Sequence, residues 1–169
     1  DPDLLRWVHA TFVDTMLTSH DAFVGGLTEA DRDGFVHEWH RVARLMGVPR
    51  RLLWRDHAEM RAYVDGEIAS GRIAPGAGSL HVAETILRPP LPNPAIVPLW
   101  QLLSFSMIGM VPEELRRGYH ITWGPAHGAA HAALLLSIRS ARRTAPRRFR
   151  FSPVYDAAQA RVAGDLLRR

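Results

Sequence analysis

Apolar residues in this chain recur at spacings of three and four, in blocks of helical length separated by glycine and proline. No segment alternates apolar and polar residues over the length of a strand. A 3.6-residue period puts each apolar set on one side of a helix, and only packing such sides together removes them from water. The pattern therefore predicts an all-α fold, a multi-helix bundle forming a single helical domain over residues 1–169. No fixed-period repeat suggests a solenoid.

The punctuation sets the elements. Asp1-Pro2-Asp3 is a helix start, with Asp as N-cap and Pro in the first turn. The helix it opens runs to about Phe23 and presents Leu5, Val8, Phe12, Val13, Met16 and Phe23 as its apolar stripe, with His9 and His20 inside it. Trp7, Thr11, Asp14 and Thr18 fall on the opposite side. Gly25-Gly26 ends this helix, and Thr28 with Asp31 opens a second that buries Phe35, Val36, Trp39, Val42, Ala43 and Met46 before Gly47-Val48-Pro49 stops it. Helices are expected over 56–69, around Met60, Tyr63, Val64 and Ile68, and over 77–87, around Leu80, Ala83, Ile86 and Leu87. Pro89 to Pro94 is an extended connector. A helix over about 95–110 follows, then a short turn over 112–118. A long helix from Gly124-Pro125 to about Arg143 comes next, its small residues Ala126, Ala129, Ala133, Ser137 and Ala141 expected to admit another helix closely. After a linker to Ser152, a last amphipathic helix starts at Pro153.

Composition excludes several classes. With no cysteine there is neither a disulfide scaffold nor a thiolate metal site, and no Cys nucleophile. No charged residue lies between Pro89 and Pro112. The helix inside that stretch falls short of the roughly 20 residues that cross a bilayer, so a deeply buried helix is expected rather than a membrane span. All 21 basic residues are Arg, and they are polarised along the chain. Residues 1–115 carry a net charge of −5, and residues 116–169 carry +9. The chain begins at Asp1 with no charged n-region and apolar core before its first helix. It is therefore expected to be the C-terminal part of a longer catalytic domain, cytoplasmic in location.

Nine histidines are the first chemical feature. His9 lies among Leu5, Phe12, Val13 and Met16, and an imidazole framed by apolar side chains is what a haem pocket supplies. The bland alternative is a satisfied core histidine. His37 and His40 face away from Trp39, beside Arg41 and Arg44, and read as a solvated face. His127 and His131, four apart, would share one helix face and could grip a metal with His57 or His120. Gly128, however, stands where a zinc protease needs its Glu. Two part-buried histidines with local hydrogen bonds is the competing reading. The run Arg139, Arg142, Arg143, Arg147, Arg148 and Arg150, interleaved with Phe149 and Phe151, leaves open a non-enzymatic helical module that docks on anionic membrane or nucleic acid. Its alternative is a solvated helix end favoured by the helix dipole. There is no phosphate loop and no G-x-S-x-G elbow.

The run Asp1-Pro2-Asp3-Leu4-Leu5-Arg6-Trp7-Val8-His9-Ala10-Thr11, with Asp14 and Phe23-Val24-Gly25 after it, resembles a recurring segment of the oxygenase MpaB and latex-clearing-protein (rubber oxygenase) family. Further blocks match in order: Leu45-Met46-Gly47-Val48-Pro49, Met60-Arg61-Ala62-Tyr63-Val64, Leu87-Arg88-Pro89-Pro90-Leu91-Pro92 and Trp123-Gly124-Pro125-Ala126. The likeness covers nearly all of the chain to about residue 150. It implies an all-helical catalytic domain with a globin-like core and a b-type haem that uses dioxygen to cleave carbon–carbon double bonds in isoprenoid or prenyl chains. It further implies that the axial histidine lies upstream of Trp7-Val8-His9. His9, with Phe12, Val13 and Met16, would then line the haem pocket, and His9 would at most substitute as iron ligand. The implied partners are dioxygen and an apolar small-molecule or polymer substrate, with no nucleic acid. A His-metal hydrolase at His127 and His131 stands as the weaker alternative.

Overall fold

The computed structural model describes residues 1–146 and 152–166. Among them are eight α-helices and no strand: α1 Pro2–Phe23, α2 Glu29–Met46, α3 His57–Ala69, α4 Ala77–Leu87, α5 Val97–Met110, α6 Glu113–Gly118, α7 Pro125–Thr144 and α8 Pro153–Leu166. Short 3₁₀ turns at Arg50–Leu52 and Pro94–Ile96 interrupt the connections. No helix of the described residues is long and apolar enough to cross a membrane.

The helix ends follow from local chemistry. The Asp1 carboxylate accepts from the Asp3 amide at 2.9 Å. Thr28 and Asp31 form a reciprocal capping box at the start of α2, satisfying amides that the first turn leaves without partners. Asp56 caps α3 by accepting from the Glu59 amide at 2.8 Å. Gly47 ends α2 in the left-handed region at φ 94°, a conformation in which a side chain would be strained.

α1 is the hub, packing against α2, α3, α5 and α7. Its buried residues are His9, Ala10, Val13, Leu17 and Ala22. With Val36, Trp54, Met60 and Val64 they make the core, flanked by Trp7, Phe35, Trp39, Tyr63 and Ile68. The inward faces of α2 and α3 are the ones that periodicity gives. α1 is rotated relative to its expected stripe: Phe12 and Met16 stay 49% and 44% exposed, while Ala10 and Leu17 take the interior.

Two expectations are overturned. α5 is not deeply buried, since Leu99, Leu102, Leu103 and Met107 are exposed and its buried residues are Ser104 and Ser106. A helix apolar on every side carries no facial signal, and here close approach decided the matter. A Cβ on Gly109 would overlap the His131 ring of α7. Nor does the small-residue face of α7 meet another helix. Ala126, Ala129, Ala133, Ser137 and Ala141 are exposed, and the adjacent face with His131, Leu134, Leu135 and Ile138 turns inward. The small residue that permits the crossing belongs to α5.

Candidate functional site

The side of α1 opposite the predicted stripe lines the larger cleft, about 840 Å³, between α1, α3, α5 and α6. Trp7, Thr11, Asp14, Thr18 and Asp21 come from α1, one helical turn apart in succession, so a single helix supplies an entire polar wall. α2 adds Arg32, and α3 adds His57, Arg61 and Asp65. The apolar lining comes from Met107, Met110, Val111, Pro112 and Leu115, with Val64 and Ile68.

Ion pairs hold the polar wall in shape. Arg61 spans Asp14 at 2.5 Å and Asp65 at 2.7 Å. Arg32 grips both oxygens of Asp21, the longer contact being 3.1 Å, and reaches Glu29 at 3.2 Å. Hydrogen bonding to Asp21 raises the Arg32 pKa further. Burial works against the charge on Arg61, but the Asp14 and Asp65 carboxylates outweigh it and its pKa is raised as well. Arg139 of α7 donates to the carbonyls of Ala22, at 2.8 Å, and Asp21, clamping the end of α1. That contact withdraws Arg139 from the basic run read in the sequence. Arg147, Arg148, Phe149, Arg150 and Phe151 lie outside the described residues.

His57 is the one imidazole lining this cleft, with Nδ1 3.6 Å from Glu29 Oε2. A carboxylate beside one ring nitrogen is how ligating imidazoles are commonly oriented. Among the described residues, no group of three or more His, Asp or Glu is placed to hold a metal ion.

His9 lies elsewhere. It is wholly buried, its Nε2–H donates to the Trp39 carbonyl at 3.0 Å, and its ring stacks on Trp54 at 5.5 Å and 7°. Burial lowers its pKa below 6.5 despite the Trp39 hydrogen bond. Arg6 lies over Trp54 and Tyr63, closing the other side of the cluster. The four residues expected to frame a haem slot do not share a cavity. His9 and Val13 are sealed in the core, and Phe12 and Met16 are on the outer edge of α1. This set does not fit a haem, whose flat ring needs an open apolar slot.

His131, His127 and His37 have local partners. His131 donates from Nε2 to the Ser106 carbonyl at 3.0 Å, and His127 Nδ1 accepts from the Gly124 amide at 3.1 Å. His131 is part-buried, as the structural alternative had it, whereas His127 is exposed; both rings pack on Trp123. His37 is exposed as expected and donates to the Arg55 carbonyl at 2.6 Å. His40 is only part-exposed, with a pKa lowered first by burial and then by the neighbouring His37 and His9. Both line an open groove of about 620 Å³ with Arg44, Arg50, Trp54 and Arg55.

The sequence pattern sets Trp7, Thr11 and Asp14 opposite the apolar stripe with no role in a site, and gives no site role to Arg61, Arg32, Asp65 and Met110. The available signal was the segment likeness itself. Asp14 follows the first matching block and Arg61 sits in a later one, and these two residues meet across the cleft.

Fold and cleft together describe an all-α domain with a cleft lined partly by charge-paired polar residues and partly by apolar ones. The sequence model of the family described as "ER-bound oxygenase mpaB/B'/Rubber oxygenase, catalytic domain" matches residues 1–147, and the chain belongs to that family. Neither a curated protein nor a solved structure matches it.

Proposed function

We propose that this domain acts with dioxygen on an apolar, isoprenoid- or prenyl-type substrate, and that the cleft between α1, α3, α5 and α6 holds the substrate chain. The observation that carries the reading is the position of the family's own segment: Trp7, Thr11 and Asp14 line the same cleft as Met107, Met110, Val111 and Pro112. A hydrocarbon chain gains about 25 cal/mol for each Å² it removes from water, and an apolar wall of this kind supplies that gain without demanding a hydrogen bond. Haem b, which the family resemblance implies, is the proposed oxidising group within a globin-like helical core, held by residues other than the His9, Phe12, Val13 and Met16 set. When bound, it supplies the dioxygen chemistry that no side chain here performs. The part played by the chain's own residues is to exclude water from the hydrocarbon and to hold the polar wall rigid through the Asp14–Arg61–Asp65 and Asp21–Arg32 pairs. His9 is proposed to brace α1 against Trp39 and Trp54 rather than to bind iron.

The test is a titration of the purified protein with haem b, followed by oxygen uptake on a short polyisoprenoid such as squalene. An intense near-ultraviolet haem band, with uptake matched by carbonyl products, is the expected result. A His9→Phe variant should keep that band. Absence of both the band and the uptake would overturn the haem-oxygenase reading, and loss of the band in His9→Phe alone would restore His9 as an iron ligand.

A further inference from the structure

We propose that the cleft selects its substrate by head group, accepting chains with an uncharged or cationic end and rejecting those that end in phosphate or carboxylate. The inference deepens the function proposed above and rests on its placement of an apolar chain in this cleft.

A basic side chain in a greasy cavity ordinarily suggests an anionic head, since a guanidinium recognises phosphate or carboxylate through two parallel hydrogen bonds. Here both guanidiniums are already engaged. Arg61 is held by Asp14 and Asp65, and Arg32 by Asp21 and Glu29, so two positive charges answer to four negative ones. Asp14, Asp21 and Asp65 themselves line the cavity against Arg32 and Arg61, which leaves its wall one carboxylate in excess over its guanidiniums. The Asp14 and Arg32 side chains are 18% and 16% exposed, so neither pair is a fully solvated surface contact that salt would erase. An entering diphosphate would have to displace a carboxylate or face it unscreened beside the low-dielectric wall of Met107, Met110 and Pro112. A hydroxyl instead finds carboxylate acceptors. An ammonium finds an excess of negative charge. Thr11 adds nothing for an acceptor-only head, because its hydroxyl already donates to the Val8 carbonyl at 2.8 Å.

The experiment compares three ligands that share one short prenyl chain: geraniol, geranylamine and geranyl diphosphate. Binding to the full chain is measured by equilibrium dialysis at low salt without divalent cations. The alcohol and the amine should bind, with the diphosphate at least tenfold weaker and the gap narrowing as salt is added. In Asp65→Asn, an exposed position whose change leaves the core untouched, the diphosphate should gain severalfold relative to the alcohol. Asp14→Asn should widen that gain. Diphosphate binding equal to or tighter than geraniol in the unaltered chain would overturn the head-group inference while leaving the cleft as the chain site. Failure of all three to bind would overturn the placement of the chain in the cleft, and this inference with it.

Discussion

His9 shows what a buried imidazole does when it is structural. Its Nε2–H is spent on the Trp39 carbonyl and its face on Trp54, so the ring works as a wedge between α1 and the Trp39–Trp54 pair. Burial makes the charged form costly, and His40 is depressed in the same direction, first by burial and then by its neighbours His37 and His9. Both pKa values are lowered in the fold, which fixes the sign of the pH dependence. Above pH 6.5 the rings are neutral whether folded or not, and the stabilisation is complete. Below 6.5 the unfolded chain takes up protons that the folded chain refuses. Stability then falls with pH, by at most about 1.4 kcal/mol per pH unit for each such histidine, until its lowered folded value is reached. Urea midpoints measured at pH 7.5 and 5.5 should therefore differ, the acid midpoint being lower. His9→Phe should cost about 1 kcal/mol at pH 7.5 through the lost hydrogen bond and should shrink the difference between the two pH values. An undiminished difference in that variant would show that the acid sensitivity resides elsewhere.

At the level of elements, helix positions were legible because caps and breakers are local. Asp1, Thr28, Asp56 and Gly47 act within a turn of their own residue, and the chain states them directly. Which side each helix buries was legible where one side differed from the other, as in α2 and α3. It failed on α5, whose apolar residues surround the axis, and on α7, where alanines look like a contact face but are left outside. The packing of those two helices depends on one shape match across 22 residues of sequence, Gly109 against His131, which no periodicity encodes. The cleft was illegible for a related reason. Its polar wall reads as an ordinary outer face of α1 until α3 brings Arg61 to Asp14 across 47 positions. The α5–α7 contact yields a prediction of its own. Gly109→Ala places a methyl group inside the His131 ring and forces the ring off the Ser106 carbonyl, for a loss of about 1–3 kcal/mol in chemical denaturation. The added cost should be smaller when Gly109→Ala is made in a His131→Ala background, because the obstructing ring is gone. Equal costs in the two backgrounds would mean that Gly109 does not set the crossing.

Across the whole molecule, the core and the cleft are drawn from α1, α2, α3, α5 and α6 with Trp54 and the segment around Val111, so the described residues of both lie before residue 116. α7 serves them from outside, through Arg139 on the end of α1 and His131 on α5. Among the described residues α8 supplies none to the buried core, and its Val154 and Val162 are 73% and 57% exposed. The family match ends at residue 147, at the same physical boundary. A helix that buries little apolar surface contributes little to a cooperative unfolding free energy, since that energy scales with area removed from water. A chain shortened to residues 1–146 should therefore melt within a few degrees of the full chain, and the acid shift of its urea midpoint should be unchanged. Geraniol binding should also persist, because no lining residue has been removed. A fall of ten degrees or more in Tm would correspond to more than about 2 kcal/mol for a domain of this size. That outcome would make α8 part of the folding unit and move the domain boundary past Leu166.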